Sequence, residues 1–484
     1  MFGFLSSGLF LGWSLGANDA SNVFGTAVAS RMVKFRTAAI YCSIFVIIGA
    51  VVSGAGASHT LGKLGAVNAV AGAFIVAFAA ATSVYLMTLA RFPVSTSQAI
   101  VGAIIGWNLF SGSLTDMTSL TKIVSTWVLC PLLSAGIAMP LYLMTGLIIR
   151  RFSVHMFKLD LLTRWSLLGA GIFGSYSLGA NNIANVMGVF VPVAHLGDIS
   201  LLGITFSGAQ QLFLLGGIAI GVGVFTFSKR VMLTVGKGIF DLSPVMAAVV
   251  VWSHSIVLFI FSSVAFESWL KGHGLPSFPL VPVSSSQAIV GAVIGIGILK
   301  GGKSIRWKTV AGITSSWVTT PIIAAVISLL SLFFLQNVFQ QDTYRPLEFS
   351  LDNDSMLLIE QAGIPIENLK PLMWQEFPNA VAFKKQVEKT ISLDKKFLQL
   401  VMDAAEVDEM EISAEALNSV KPLAMSAEQF KALQALEGRV FTHRWQLDTA
   451  LAEQSPEFQF VEGNPGKNSS LQSLLKQLYN KFRQ

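Results

Sequence analysis

Charge is scarce in this chain. Of its 484 residues only 12% are Asp, Glu, Lys or Arg, and 53% are hydrophobic, whereas a soluble domain carries about 25% charged residues. Together with a mean hydropathy of +0.63, this excludes an ordinary soluble fold and indicates an integral membrane protein. Acidic residues are rarest where the chain is most apolar: residues 1–340 hold 18 Lys and Arg but 6 Asp and Glu, against 15 and 21 in residues 341–484. The basic excess thus belongs to loops between spans, where it sets orientation, and gives no support to nucleic-acid binding. Cysteine is nearly absent. Cys42 and Cys130 both lie in apolar runs, so they read as buried side chains and imply neither a disulfide framework nor a metal cluster. No basic stretch precedes the first apolar run, so no cleaved signal peptide is expected and the first span stays in place. A Gly-x-x-x-x-Gly-Lys loop, a zinc-ligand spacing and a nucleophile with its base are all missing, and the chain is not read as an enzyme.

What the chain has instead is an internal duplication. Pro93-Val94-Ser95-Thr96-Ser97-Gln98 opens a 14-residue stretch that agrees at 12 positions with the one opened by Pro282-Val283-Ser284-Ser285-Ser286-Gln287. Ahead of each lies a second matched pair, Gly16-Ala17-Asn18-Asp19-Ala20-Ser21-Asn22 and Gly179-Ala180-Asn181-Asn182-Ile183-Ala184-Asn185. A third echo pairs Ser125-Thr126-Trp127 and Pro131 with Ser315-Ser316-Trp317 and Pro321. The offsets are 163, 189 and 190 residues, so the duplication covers nearly all of residues 1–336 and the second copy has the longer interior.

A spanning helix needs about 20 apolar residues. Runs at 3–30, 37–57, 68–90, 119–149, 161–192, 199–227, 237–266 and 306–336 qualify, and the second four mirror the first. The apolar stretches after each Pro-Val-Ser run are too short to cross, so 93–112 and 282–300 read as re-entrant hairpins or half-helices. The expected architecture is an all-α membrane protein of two repeats, 1–160 and 161–340, followed by a soluble, mostly helical tail at 341–484. Arg31, Lys34 and Arg36 place the first loop on the cytoplasmic side, and Arg150, Arg151 and Lys158 fit that side only with an odd number of crossings per repeat. That points to inverted repeats in which the Gly-Ala-Asn segments are broken helices. The tail shows helical periodicity around Phe383 and Phe430 but no motif that carries chemistry, and its partner is unknown.

Two constellations suggest a site. An intramembrane carboxylate is costly enough to imply function, and Asp19, flanked by Asn18, Asn22 and glycines, could bind a hard cation if the helix unwinds and frees carbonyl oxygens. An amide-rich packing patch would use the same residues. The hydroxyl-rich runs follow a proline and should open helices, whose free N–H groups and positive dipole end suit an anion; the alternative is that they only cap two helix ends. Arg91 has no counterpart in the second copy, so no symmetrical arginine clamp is expected. Lys122 and Arg164 read as snorkelling side chains, and His254 as a packing histidine or a proton relay.

These motifs resemble the inorganic phosphate transporter (PiT) family of phosphate:sodium or phosphate:proton symporters, over residues 1–336. The resemblance implies a secondary transporter importing phosphate, driven by Na⁺ or H⁺ as coupling ion and without a cofactor. It assigns phosphate to Ser95, Thr96, Ser97, Gln98, Ser284, Ser285, Ser286 and Gln287, and the cation to Asn18, Asp19, Asn22, Asn181, Asn182 and Asn185. Asn182 departs from the family pattern, which commonly has Asp there, and this keeps a sulfate or other oxyanion permease open. An anion channel is disfavoured because the half-helix pair lies within one chain, and a phosphate sensor because the tail has no output motif. A multi-pass protein of a bacterial inner membrane is expected; a homodimer is compatible with such a transporter.

Overall fold

Backbone N–H and C=O groups cannot go unpaired in hydrocarbon, so apolar runs of this length must close their hydrogen bonds internally, as helices do. The computed structural model, which describes residues 2–65, 67–89, 94–194, 196–201, 204–235, 241–420, 425–461 and 465–483, is predominantly helical. It divides into two compact units, Met1–Phe110 with Thr115–Arg345, and Ser111–Leu114 with Pro346–Gln484. Arg91 and Pro93 lie outside the described residues.

In the first unit a 3₁₀ turn, Phe2–Leu5, leads into α1 (Ser6–Ala29), α2 (Phe35–Ser53), α3 (Ala55–Leu64), α4 (Val70–Leu89), α5 (Thr96–Ser111), α6 (Met117–Arg151) and α7 (Met156–Met187). The second half continues with α8 (Gly208–Thr226), α9 (Ser228–Val235), α10 (Pro244–Ser262), α11 (Val264–Gly272), α12 (Ser285–Leu299) and α13 (Trp307–Asn337). Among the described residues six helices, α2, α4, α6, α8, α10 and α13, are long and apolar enough to cross a membrane. At 16 and 15 residues, α5 and α12 reach about 24 and 22 Å at 1.5 Å per residue, short of a hydrocarbon core of about 30 Å.

Three expectations need correction. The Gly-Ala-Asn segments are not broken: α1 and α7 run as continuous helix through residues 16–22 and 179–185. Their glycines serve close approach instead of unwinding. A Cβ at Gly16 would lie 2.0 Å from the Ile220 carbonyl oxygen of α8, and one at Gly179 would lie 2.1 Å from the Val46 carbonyl oxygen of α2. Second, residues 199–201 and 204–206 are not helical but form a small antiparallel ladder, β1 (Ile199–Leu201) with β2 (Ile204–Phe206). The Ser207 side chain then caps α8 and fixes its start at Gly208. Third, the run at 37–57 stops at Ser53, and the chain restarts at Ala55 as the separate α3.

Helices at corresponding places in the two halves run in opposite directions. Between α1 and α7, Gly8 faces Met187 at one end and Phe24 faces Gly171 at the other. Between α2 and α8, Ser43 meets Gly221 while Val51 meets Gln210. The half-helices also pack crosswise. A Cβ at Gly102 of α5 would lie 2.1 Å from the Pro321 carbonyl oxygen of α13, and one at Gly291 of α12 would lie 2.2 Å from that of Pro131 in α6. Proline lacks an N–H, so each half-helix glycine seats at a residue that makes no N–H hydrogen bond within its own long helix, Pro321 in α13 and Pro131 in α6. Residues beyond α13 close the unit: Trp107 Nε1 donates to the Thr343 carbonyl at 3.1 Å, and the Asn68 amide exchanges hydrogen bonds with the Arg345 backbone at 2.9 and 3.0 Å.

The second unit contains α14 (Asn353–Gln361), α15 (Ala380–Thr390), α16 (Lys395–Ala405), α17 (Ala414–Val420), α18 (Ala427–Ala435), α19 (Arg444–Gln454) and α20 (Pro465–Phe482). Short ladders join β3 (Glu348–Phe349) to β4 (Glu406–Val407) and β5 (Met410–Glu411) to β6 (Val440–Phe441). One apolar core gathers Phe349, Leu369, Phe383, Val387 and Val401, and another Ile412, Leu433, Leu447, Leu451 and Leu478. Asp408 ties the second core together. It accepts from Arg444 Nε at 2.5 Å and from both Nε and Nη2 of Arg483. Burial pushes its pKa up, but the Arg483 hydrogen bonds and the Arg444 charge outweigh burial and hold the carboxyl below its usual range.

Candidate functional site

Both half-helices begin at the hydroxyl runs, and they begin alike. Ser95 Oγ accepts from the Gln98 N–H and Ser284 Oγ from the Gln287 N–H, each at 3.2 Å, so each serine satisfies one orphan N–H of a first turn. The pattern Ser-x-x-Gln normally closes a capping box, with the glutamine reaching back to the N-cap N–H. Elsewhere in the chain it does: the Ser207 N–H donates to Gln210 Oε1 at 2.9 Å and the Ser426 N–H to Gln429 Oε1 at 3.0 Å. At the half-helices it does not. Gln98 Oε1 and Gln287 Oε1 are buried without a hydrogen-bond partner.

Each half-helix is held by an amide from the other half of the unit. Asn22 Nδ2 on α1 donates to Ser285 Oγ at 3.0 Å, and Asn185 Nδ2 on α7 donates to Ser97 Oγ at 2.8 Å. Asn185 also donates to Asn182 Oδ1 at 2.9 Å. Ser97 Oγ in turn donates to the Val283 carbonyl at 3.1 Å, which brings the two helix starts side by side. Asn181 pins the approach to α12, donating to the Val281 carbonyl at 3.3 Å and accepting from the Val283 N–H at 3.0 Å. Ser284 and Ser286 share a hydrogen bond of 3.0 Å.

Asn18 turns away from this cluster, its amide donating to Thr88 Oγ1 on α4 at 2.9 Å. Asp19 lies three residues before Asn22, on the same helix face, and its Oδ1 has no partner. All fourteen residues singled out by the motifs are at most 3% exposed. Among the described residues of the first unit, Asp19 is the one buried acidic side chain, and no Lys or Arg is buried. The site is therefore made of neutral donors, amide oxygens and one carboxylate. Such donors can hold an oxyanion, and the unpartnered oxygens of Asp19, Gln98, Asn185 and Gln287 suit a hard cation.

Three neighbours adjoin the motif residues: Thr88 and Cys130, which the sequence does not mark as site residues, and His254, read from it as a packing histidine or a proton relay. Thr88 partners Asn18, Cys130 Sγ lies 3.7 Å from the Ser284 carbonyl, and His254 Nε2 lies 2.9 Å from Ser285 Oγ. The signal for His254 was its position inside an apolar run, yet its partner is 31 residues away on another helix.

Comparison with known proteins follows the same lines. A profile of the phosphate transporter family (PHO4) matches residues 15–328, with a second match over 274–438 that runs beyond the last repeat motif. A provisionally named phosphate permease of Methanocaldococcus jannaschii is 29% identical over 321 residues, covering 66% of this chain and 93% of that protein. The sulfate permease CysP of Bacillus subtilis is 30% identical over 335 residues, covering 67% of this chain and 86% of CysP. A solved sodium-dependent phosphate transporter shares the fold, with a TM-score of 0.54 at 22% identity, over 69% of this chain and 98% of its own. With a family match over well more than half its length, and with the duplicated motifs meeting at one buried site, this chain belongs to the phosphate transporter family.

Proposed function

We propose that the protein imports inorganic phosphate together with Na⁺, its two halves rocking around a midplane site. One observation carries the reading. Two Ser-x-x-Gln helix starts lie side by side with their glutamines withheld from the capping boxes that the same pattern forms elsewhere in the chain. Leaving two buried amide oxygens unpaired costs stability, which a binding role explains and a capping role does not. Phosphate would take donors from Ser95 to Gln98 and from Ser284 to Gln287. Ser97 contributes mainly by position, since its hydrogen is engaged by Val283.

Asp19, Asn22 and Asn185, with the glutamine oxygens, would take the cation; Asn18, Asn181 and Asn182 act in support of them. Unpartnered buried oxygens on the motif residues Gln98, Asn185 and Gln287, besides the Asp19 carboxylate, favour Na⁺ over H⁺, for which Asp19 alone would suffice. The opposed directions of α1 and α7 and of α2 and α8 support inverted repeats, with α5 and α12 entering the bilayer and stopping. Short loops favour a bacterial inner membrane.

A second reading is a sulfate permease, favoured by Asn182 and by the similarity to CysP. Labelled phosphate uptake by proteoliposomes under an inward Na⁺ gradient, an inward H⁺ gradient or neither, with excess sulfate as competitor, separates the two. Uptake that needs Na⁺ and resists sulfate supports the proposal; sulfate uptake without phosphate uptake overturns it.

A further inference from the structure

The two half-helix starts are alike in sequence but differ in their side-chain partners. At the first helical position of α5, Thr96 Oγ1 is buried and has no partner. At the matching position of α12, Ser285 Oγ has two: Asn22 Nδ2 at 3.0 Å and His254 Nε2 at 2.9 Å. His254 comes from α10, is fully buried, and has no partner for Nδ1.

A hydroxyl offers one hydrogen and two lone pairs, while a neutral imidazole has one N–H and one bare nitrogen. Asn22 occupies one lone pair of Ser285. If the imidazole hydrogen sat on Nδ1, a buried N–H would be left with no acceptor, an arrangement rarer in proteins than an unpaired acceptor. Placing it on Nε2 removes that orphan and directs the N–H at Ser285 Oγ. Both lone pairs of Ser285 are then taken, and its own hydrogen can only point outward. Thr96, with neither lone pair taken, can donate or accept.

We infer that His254 positions Ser285 as an obligate hydrogen-bond donor toward the transported oxyanion, so that the acceptor role needed for a protonated phosphate oxygen falls to the first half-helix, at Thr96. The inference rests on the oxyanion reading above. It makes His254 a positioning residue that acts through Ser285, and it makes the duplicated site chemically unequal. A fully deprotonated anion such as sulfate uses donors only, and gains nothing from Thr96 as acceptor.

The test is uptake kinetics in proteoliposomes, with labelled phosphate and labelled sulfate in separate arms, for His254→Leu, His254→Gln, Ser285→Ala and the His254→Leu/Ser285→Ala double variant. Losing one hydrogen bond that orients a donor should raise KM for the transported anion about ten-fold, with kcat within about two-fold. Glutamine, which can offer an N–H from a similar reach, should recover most of that loss. The double variant should be no worse than Ser285→Ala alone, as expected for residues acting as one unit.

Unchanged KM in His254→Leu, or additive losses in the double variant, would overturn the inference, as would equal damage by Leu and Gln. If His254→Leu does not yield folded protein, His254→Gln decides: KM near the wild type supports the role, and a ten-fold rise in folded protein overturns it. Wild-type uptake of sulfate alone would refute phosphate import, yet the same variants read in the sulfate arm would still test His254.

Discussion

At the scale of single residues, the decisive contrast is between glutamines that close a capping box and glutamines that do not. Gln98→Ala or Gln287→Ala should reduce uptake by at least ten-fold while leaving the thermal midpoint of the detergent-solubilised protein nearly unchanged, because neither Oε1 supports its helix start. Gln210→Ala should do the reverse, lowering stability by about 1 kcal/mol with uptake largely kept, since its Oε1 accepts from the Ser207 N–H. Equal stability losses at all three positions would reduce the half-helix glutamines to caps. Asp19→Asn should abolish ion-driven uptake in folded protein, and retained coupling would remove Asp19 from the cation site. The candidate residues were legible in the sequence because a hydroxyl run after proline, repeated in an apolar chain, has few structural uses. The pairings of Ser285 with His254 and of Asn18 with Thr88 were not legible, because each joins residues on different helices and neither leaves a local pattern.

Between elements, packing is governed by backbone approach at glycine. Gly102→Val and Gly291→Val should each cost about 3 kcal/mol or prevent folding, because a side chain there would enter the carbonyl of Pro321 or Pro131. Thermal unfolding of purified variants checks this, and a midpoint close to wild type in both would mean the half-helices do not seat as described. Two other glycines explain where sequence reading went astray. Gly16 and Gly179 in polar, apolar-flanked helices fit either an unwound segment or a close helix crossing, and only the partner helix distinguishes them. Here Ile220 and Val46 supply that partner, so α1 and α7 stay intact. The starts of α5 and α12 were readable from their Pro-Val-Ser runs, whereas the two-residue strands of the second unit are too short to impose a period.

At the scale of the whole molecule, the two units should separate functionally at a defined place. Truncation after Arg345 should preserve uptake in proteoliposomes, because it keeps the Trp107–Thr343 and Asn68–Arg345 hydrogen bonds. Truncation after residue 336 removes both and should lower the thermal midpoint. Equal behaviour of the two truncations would show that residues 337–345 seal nothing.

In the second unit, Asp408 contributes through a carboxyl held below its usual range, so its stabilisation is full above about pH 4. It is lost as pH falls through the depressed folded-state value. Hydrogen exchange across α20, which Arg483 directly follows, should therefore quicken on acidification below about pH 4, after correction for intrinsic exchange. Arg483→Ala should show the same loss at neutral pH.

The crosswise seating of the half-helices has a consequence for how such a chain could arise and be taken apart. Gly102 of the first half seats against Pro321 of the second, and Gly291 of the second against Pro131 of the first, so each half taken alone lacks the surface that seats its own half-helix. A single-copy ancestor would have needed to pair with a second copy of itself before the gene doubled. The present chain, cut between α6 and α7 and produced as two polypeptides, should still reassemble.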